Sequence, residues 1–223
     1  MNEVARIERE TAPNGAWSVD LRALEAAPVS MRPFPYLIVP GFLRADARAA
    51  ISADFPDVVH PGSFPLSTLR YGPAFARFIA DLEAPALARI VAEKLKLDLT
   101  ACPTMITVRG QSREADGKIH TDSRTKLVTA LIYMNEAWES PRGRLRLVRS
   151  ATDLNDVIAE VPPERGTLLL FKNEPNAWHG FEPFQGPRRV IQLNWVTSAS
   201  VVRREQRRHR VSAFFKRLFG RAA

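Results

Sequence analysis

The chain is poor in cysteine: Cys102 is the only one in 223 residues. An internal disulfide is therefore impossible, and a closed structural zinc site, which usually draws on several thiolates, has little to work with. Long hydrophobic runs are missing too. No stretch approaches the roughly 18 apolar residues that a membrane-spanning helix needs. Residues 1–30 mix Glu3, Arg6, Glu8, Arg9 and Glu10 with no apolar core, so no secretory signal is expected and a reducing cytoplasm is the expected location. Internal repeats and low-complexity segments are absent as well. The net charge of +8 is not spread over the chain. Residues 203–223 hold eight basic residues against one acid, leaving 24 basic against 23 acidic residues elsewhere. A nearly neutral body gives no electrostatic footprint for nucleic acid.

What remains is an ordinary globular composition, 45% hydrophobic and 25% charged, of a length that suits one domain. The first half reads as mostly helical. Val19–Ala27 is a short helix candidate, Leu43–Phe55 a longer one stopped by Pro56, and Pro85–Leu97 begins with proline where a helix tolerates it. Tyr36–Val39 reads as an early strand. The second half changes period: Thr104–Val108, Lys126–Met134, Arg144–Val148, Gly166–Phe171 and Arg189–Val196 are short, apolar or alternating, and separated by turns. Several short strands spaced by turns suggest a sandwich or barrel. The expected class is α+β, organised as a mostly helical part over residues 1–100, a β core over 101–202 and a basic appendage over 203–223.

His120-Thr121-Asp122 and, farther on, His179 stand out chemically. Residues i and i+2 of an extended segment face one side, so His120 and Asp122 can share a cavity. Two neutral imidazoles and a carboxylate on one face of a metal suit Fe(II), and leave positions open for a co-substrate and dioxygen. His120, Asp122 and His179 are therefore the candidate metal ligands and catalytic residues. His60, in a Pro/Gly connector, and His209, in the charged tail, compete poorly for such a role.

The strand after His179 carries Arg188 and Arg189. By alternation, Arg189 shares a face with Ile191, Leu193 and Trp195. A guanidinium on an apolar face needs an anion, and its planar fork fits a carboxylate. Tyr133 ends an apolar strand and could add its hydroxyl. Which arginine points inward depends on register.

Together these residues resemble the Fe(II)/2-oxoglutarate-dependent dioxygenases, in particular the prolyl-4-hydroxylase-like branch. The similarity covers about residues 104–196, through His120-Thr121-Asp122, Leu131-Ile132-Tyr133-Met134-Asn135, Gly166-Thr167-Leu168-Leu169-Leu170-Phe171, Trp178-His179-Gly180 and Arg189 six residues before Trp195. The resemblance implies a double-stranded β-helix, or jelly roll, with helices packed on one sheet. It implies iron at His120, Asp122 and His179, and 2-oxoglutarate at Arg189, the one six residues before the tryptophan, with Tyr133 beside it. It implies dioxygen as a partner, succinate as a product, and ascorbate as a further reductant to test. The family's weight favours a peptidyl proline or another side chain as the substrate; a free amino acid, a saccharide or a lipid-linked molecule stay open. Two departures bear on this. The stretch 109–118 is polar and charged where many relatives carry a tyrosine and a glycine-rich loop, which speaks against peptidyl proline. Trp195 stands where the nucleic-acid demethylase branch has a second arginine, which speaks against nucleobase repair.

Val211, Phe214, Phe215, Leu218 and Phe219 fall at helical spacing among basic residues. A basic amphipathic helix is expected, suited to packing on the body or a second subunit, or to an anionic membrane surface. Alternatives to an enzyme are a sensor that binds metal or 2-oxoglutarate without turnover, and a saccharide-binding jelly-roll module.

Overall fold

The structure, a computed structural model, describes residues 16–204. The expected tail helix lies mostly outside the described residues; within them, residues 199–204 are helical. Four α-helices precede the β core. α1 (Leu21–Ala26) is capped by Asp20, whose carboxylate accepts from Ala23 N–H at 2.9 Å. α2 (Ala45–Ala53) follows β1 (Tyr36–Val39). After the two-residue β2 (Phe64–Pro65) come α3 (Pro73–Glu83) and α4 (Pro85–Leu95), each with proline in its first turn. α3 was not among the expected helices, although Phe75, Phe78, Ile79 and Leu82 recur at helical spacing and all are buried.

The remaining strands are β3 (Thr104–Ser112), β4 (Lys126–Tyr133), β5 (Leu145–Val148), β6 (Val157–Val161), β7 (Leu168–Lys172), β8 (His179–Gly180) and β9 (Gly186–Val196). Six of the nine form one antiparallel sheet in the order β1-β7-β4-β9-β3-β2, and β6-β5-β8 form a smaller one. Helices on one face of the large sheet and a second sheet on the other make the α+β double-stranded β-helix that the resemblance implies.

The two faces of the large sheet have different partners. Val128, Ala130 and Ile132 of β4, with Ile191, Leu193 and Trp195 of β9, pack with Phe75, Phe78, Leu87 and Ile90 of the helices. Their alternates, Leu131, Tyr133, Leu169, Phe171 and Val190, pack with Leu145, Leu147 and Val161 of the small sheet. Period-two alternation thus divides one ladder between two cores. The functional cavity opens on the second face.

Candidate metal centre

The metal-binding candidates meet at the mouth of the sandwich. Backbone hydrogen bonds pair His120 with His179 as an isolated antiparallel bridge beside β8. Asp122 follows on the same segment. One ligating atom from each of His120, Asp122 and His179 falls within 4.8 Å of the others, and the imidazole centroids are 4.4 Å apart.

The local backbone sets the tautomers. His120 Nδ1 is 2.8 Å from Lys118 O, and His179 Nδ1 is 3.0 Å from Ala177 O. A carbonyl can only accept, so each Nδ1 carries the proton and each Nε2 presents its lone pair. This is the outer-shell arrangement that orients metal-bound histidines. Burial pushes the His179 imidazolium down to about 4, with His120 adding to the effect and Asp122 opposing it, so the ring is neutral and ready to ligate at physiological pH.

Asp122 is held by both oxygens. Lys126 Nζ donates to Oδ1 at 2.7 Å and Thr129 Oγ1 donates to Oδ2 at 2.5 Å. Asn194 Nδ2 in turn donates to Thr129 Oγ1 at 2.8 Å. Burial works against the carboxylate charge, but Lys126, His179 and the two hydrogen bonds outweigh it and keep Asp122 below its ordinary range. Asn173 bridges the carbonyls of Ser123 and Lys126 at 2.7 and 2.9 Å and so fixes the turn between Asp122 and β4.

Behind the triad lies a cavity of about 320 Å³, lined by Thr129 and Leu131 of β4, by Val190 and Gln192 of β9, and by Arg188. Here one expectation is corrected. Arg189 is exposed on the opposite face, its Nη1 3.4 Å from Ser52 and its guanidinium over the Phe55 ring at 5.2 Å. The parity grouping of Arg189 with Trp195 is right, but that face belongs to the helical core, since Trp195 is buried there. Arg188 has the inward parity. It is 5% exposed, donates through Nε to Gly143 O at 2.9 Å, and stacks on Phe181 with its guanidinium carbon 4.2 Å from the ring centroid. A readable signal was available: Gln192 and Asn194 share the parity of Arg188 on β9, and a metal cavity lines its wall with the polar face.

Tyr133 is fully buried and sits beside Arg188, whose guanidinium carbon is 5.5 Å from the tyrosine ring. Neither Tyr133 Oη nor Arg188 Nη2 makes a hydrogen bond of good geometry, although the guanidinium is close enough to act on the phenol. Two adjacent buried donors left unpaired are costly unless something occupies the space between them. A carboxylate meets both at once. Burial, partly offset by Arg188, pushes the Tyr133 phenol up to about 12, so it stays a neutral donor. The residues present thus fit a divalent metal at the triad and an anionic co-substrate reaching back to Arg188. Sequence reasoning did not find Lys126, Thr129, Asn194 or Arg109, which also lines the cavity; none belongs to a short motif, and only register brings them together.

Comparison with known proteins agrees with this geometry. Residues 109–197 match the model of the 2OG-Fe(II) oxygenase superfamily. Among solved structures, a Pseudomonas putida prolyl-4-hydroxylase superposes with a TM-score of 0.54 at 18% identity, over 74% of this chain and 93% of that one. A Trichoplax adhaerens prolyl hydroxylase, solved with a peptide fragment of the hypoxia inducible factor oxygen degradation domain, gives 0.51 at 18% identity over 72% and 83%. The viral collagen prolyl hydroxylase of Paramecium Bursaria Chlorella virus-1, solved as a 2OG complex, gives 0.50 at 14% over 73% and 96%. No curated protein matches the chain in sequence.

Proposed function

We propose that this chain, whose residues 109–197 match the model of the 2OG-Fe(II) oxygenase superfamily, is a hydroxylase of that kind that oxidises a C–H bond of its primary substrate. Iron and 2-oxoglutarate supply the dioxygen activation and the oxidation coupled to succinate release. His120 and His179 would offer Nε2 to the metal, and Asp122 one carboxylate oxygen. Arg188 and Tyr133 would take the distal carboxylate of 2-oxoglutarate. Leu131 and Val190 line the cavity between the two ends and help exclude water.

The observation that carries this reading is Arg188, a buried guanidinium that lines the cavity behind the metal triad with its Nη2 unpartnered, next to the equally buried Tyr133 phenol. A sugar-binding or purely structural site gives no reason to leave one nitrogen of a buried guanidinium without an acceptor there. The prolyl hydroxylases among the solved structures share the fold at 18% identity or less, which speaks for the scaffold and leaves the substrate to the chain's own surface. Among the described residues no helix is long and apolar enough to cross a membrane.

Anaerobic titration with Fe(II) and 2-oxoglutarate tests the reading. A weak visible charge-transfer band is expected in the wild type. Arg188→Gln should raise the 2-oxoglutarate dissociation constant about a hundredfold, the worth of two charge-assisted hydrogen bonds. Arg189→Gln should leave it unchanged. Equal loss in both variants, or no 2-oxoglutarate binding in the wild type, overturns the assignment.

A further inference from the structure

A second cavity of about 570 Å³, called the outer groove, borders the metal ligands and shares His120, Asp122, Arg109 and Gln192 with the first. A substrate held there would lie against the metal ligands. Its lining is polar: Thr107, Gln192 and Asn194 project from β3 and β9, and Ser63 and Thr125 from flanking loops. Met105 and Val201 are its apolar members, and among the described residues it has no aromatic side chain apart from His120. Arg109, Lys126 and Arg204 bring three positive charges to it. Among the described residues the only acid lining it is Asp122, the candidate metal ligand. An apolar pyrrolidine ring finds no hydrophobic seat in such a groove, whereas ligand sites usually bury carbon against carbon.

Arg109 is the residue best placed to use this charge, because it lines both cavities. Its Nε donates to Ser63 Oγ at 2.9 Å, and its Nη1 is 3.7 Å from Asp116, too long for a hydrogen bond. The β3–β9 ladder breaks register between Arg109 and Gln111, the kind of irregularity that re-aims a side chain beside an active site. Burial works against the guanidinium charge and Asp116 offsets it in part, so a second anion is favoured there. Arg188 points toward the deep end of the inner cavity and is separate from this role.

We propose that the outer groove takes a small hydrophilic substrate bearing a carboxylate or phosphate, and that Arg109 reads that oxyanion while the metal faces the carbon to be oxidised. This rests on the oxygenase reading above and names the substrate class for it. Arg109 is then a specificity-determining residue, and the polar side chains around it serve hydroxyl or amino groups of the same molecule.

The test uses the full chain loaded with Mn(II) and saturating 2-oxoglutarate. Inorganic phosphate and acetate serve as bare heads, and a blocked, uncharged prolyl tripeptide as the rival. Nuclear relaxation of each probe by the bound Mn(II) reports its approach to the metal, and calorimetry reports 2-oxoglutarate affinity separately. One of the two oxyanions should be relaxed, and which one distinguishes a phosphate source from a carboxylate. In Arg109→Gln its affinity should fall about tenfold or more, in line with loss of a charge-assisted hydrogen bond, and Arg109→Lys should recover part of it. 2-Oxoglutarate affinity should change much less than oxyanion affinity in both variants, because Arg109 only borders the first cavity while Arg188 takes the co-substrate. If neither anion approaches the metal, if Arg109→Gln changes nothing, or if the blocked peptide binds in preference, the inference is overturned while the oxygenase reading stands. If 2-oxoglutarate itself does not bind, it is that reading that has failed.

Discussion

His120 and His179 are bound to each other through their backbones, each N–H donating to the other's carbonyl at 3.0 Å. The separation of the two imidazoles is thereby set by a β-bridge and not by side-chain packing alone. One residue pair farther out, Phe181 N donates to Gly117 O at 2.9 Å and prolongs the pairing. The two histidines thus sit on an isolated bridge, flanked by this one further backbone hydrogen bond.

Gly117 is the weak point of this arrangement. Its φ of +92° is a conformation that side chains rarely adopt, and a Cβ there would run into the Phe181 carbonyl oxygen. Gly117→Ala should cost about 1–3 kcal/mol of stability. It should also weaken Mn(II) binding by about tenfold or more, because the His120–His179 bridge loses its neighbour. Thermal melting and Mn(II) titration read the two effects. An alanine variant with wild-type metal affinity would show that the outer pair does not support the bridge.

The burial of His179 predicts an acid sensitivity with a definite sign. Its imidazolium is depressed to about 4 in the folded chain from 6.5, so folding favours the neutral ring. The stability this represents is present above about pH 6.5 and is lost as pH falls toward 4, up to about 3 kcal/mol. Asp122, also held below its ordinary range, adds a loss in the same direction at still lower pH. The metal-free protein should therefore lose melting temperature steeply between pH 6.5 and 4, and His179→Gln should flatten that slope. Equal slopes in both proteins would place the acid sensitivity elsewhere.

The strands were largely legible from alternation and the turns between them, because each face of the large sheet meets a different apolar layer and period two is strict. Tyr36–Val39 was read as β1 with its observed bounds. α3 carried a clear helical stripe that lay between two proline-rich connectors and was passed over. β6, Val157–Val161, escaped because most of it is only half buried at the edge of the small sheet, so no apolar stripe marks it. The triad was legible as a motif. The inward-facing arginine was not, because the family spacing to Trp195 selects a residue one place away. Trp195 and Arg189 share the helical face, while Val190 marks the inner one. Lys126 and Thr129 reach Asp122 through a turn held by Asn173, and no sequence spacing announces that contact.

Tyr133→Phe separates binding from stability. The phenol oxygen is buried and unpaired, so removing it takes away a desolvation cost and no protein hydrogen bond. The metal-free variant should be at least as stable as the wild type. Its 2-oxoglutarate affinity should nevertheless fall about tenfold, the worth of one hydrogen bond to a charged group. Because the phenol titrates only at about 12, this loss should be the same across the neutral pH range. Paired melting and calorimetry at two pH values check it. A variant that is destabilised and binds 2-oxoglutarate normally would mean that Tyr133 is a core residue without a ligand role.

Lys126 and Thr129 both grip Asp122, yet their removal should move metal affinity in opposite directions. Thr129 is a neutral donor, itself polarised by Asn194, that orients the carboxylate without opposing a cation. Thr129→Val frees the carboxylate to rotate and leaves the Asn194 amide without one acceptor, so Mn(II) should bind about tenfold or more weakly. Lys126 is a cation 2.7 Å from Oδ1, with only 18% of its side chain exposed. It competes with a divalent ion for the same charge, and low exposure limits the screening of that repulsion. Lys126→Met should therefore tighten Mn(II) binding several-fold at neutral pH. It should also let the Asp122 carboxyl titrate higher, so the gain should shrink as the pH is lowered. Mn(II) titration followed by electron paramagnetic resonance, at neutral and mildly acidic pH, measures both variants. If Lys126→Met weakens metal as Thr129→Val does, the lysine acts by positioning Asp122 and its charge is secondary.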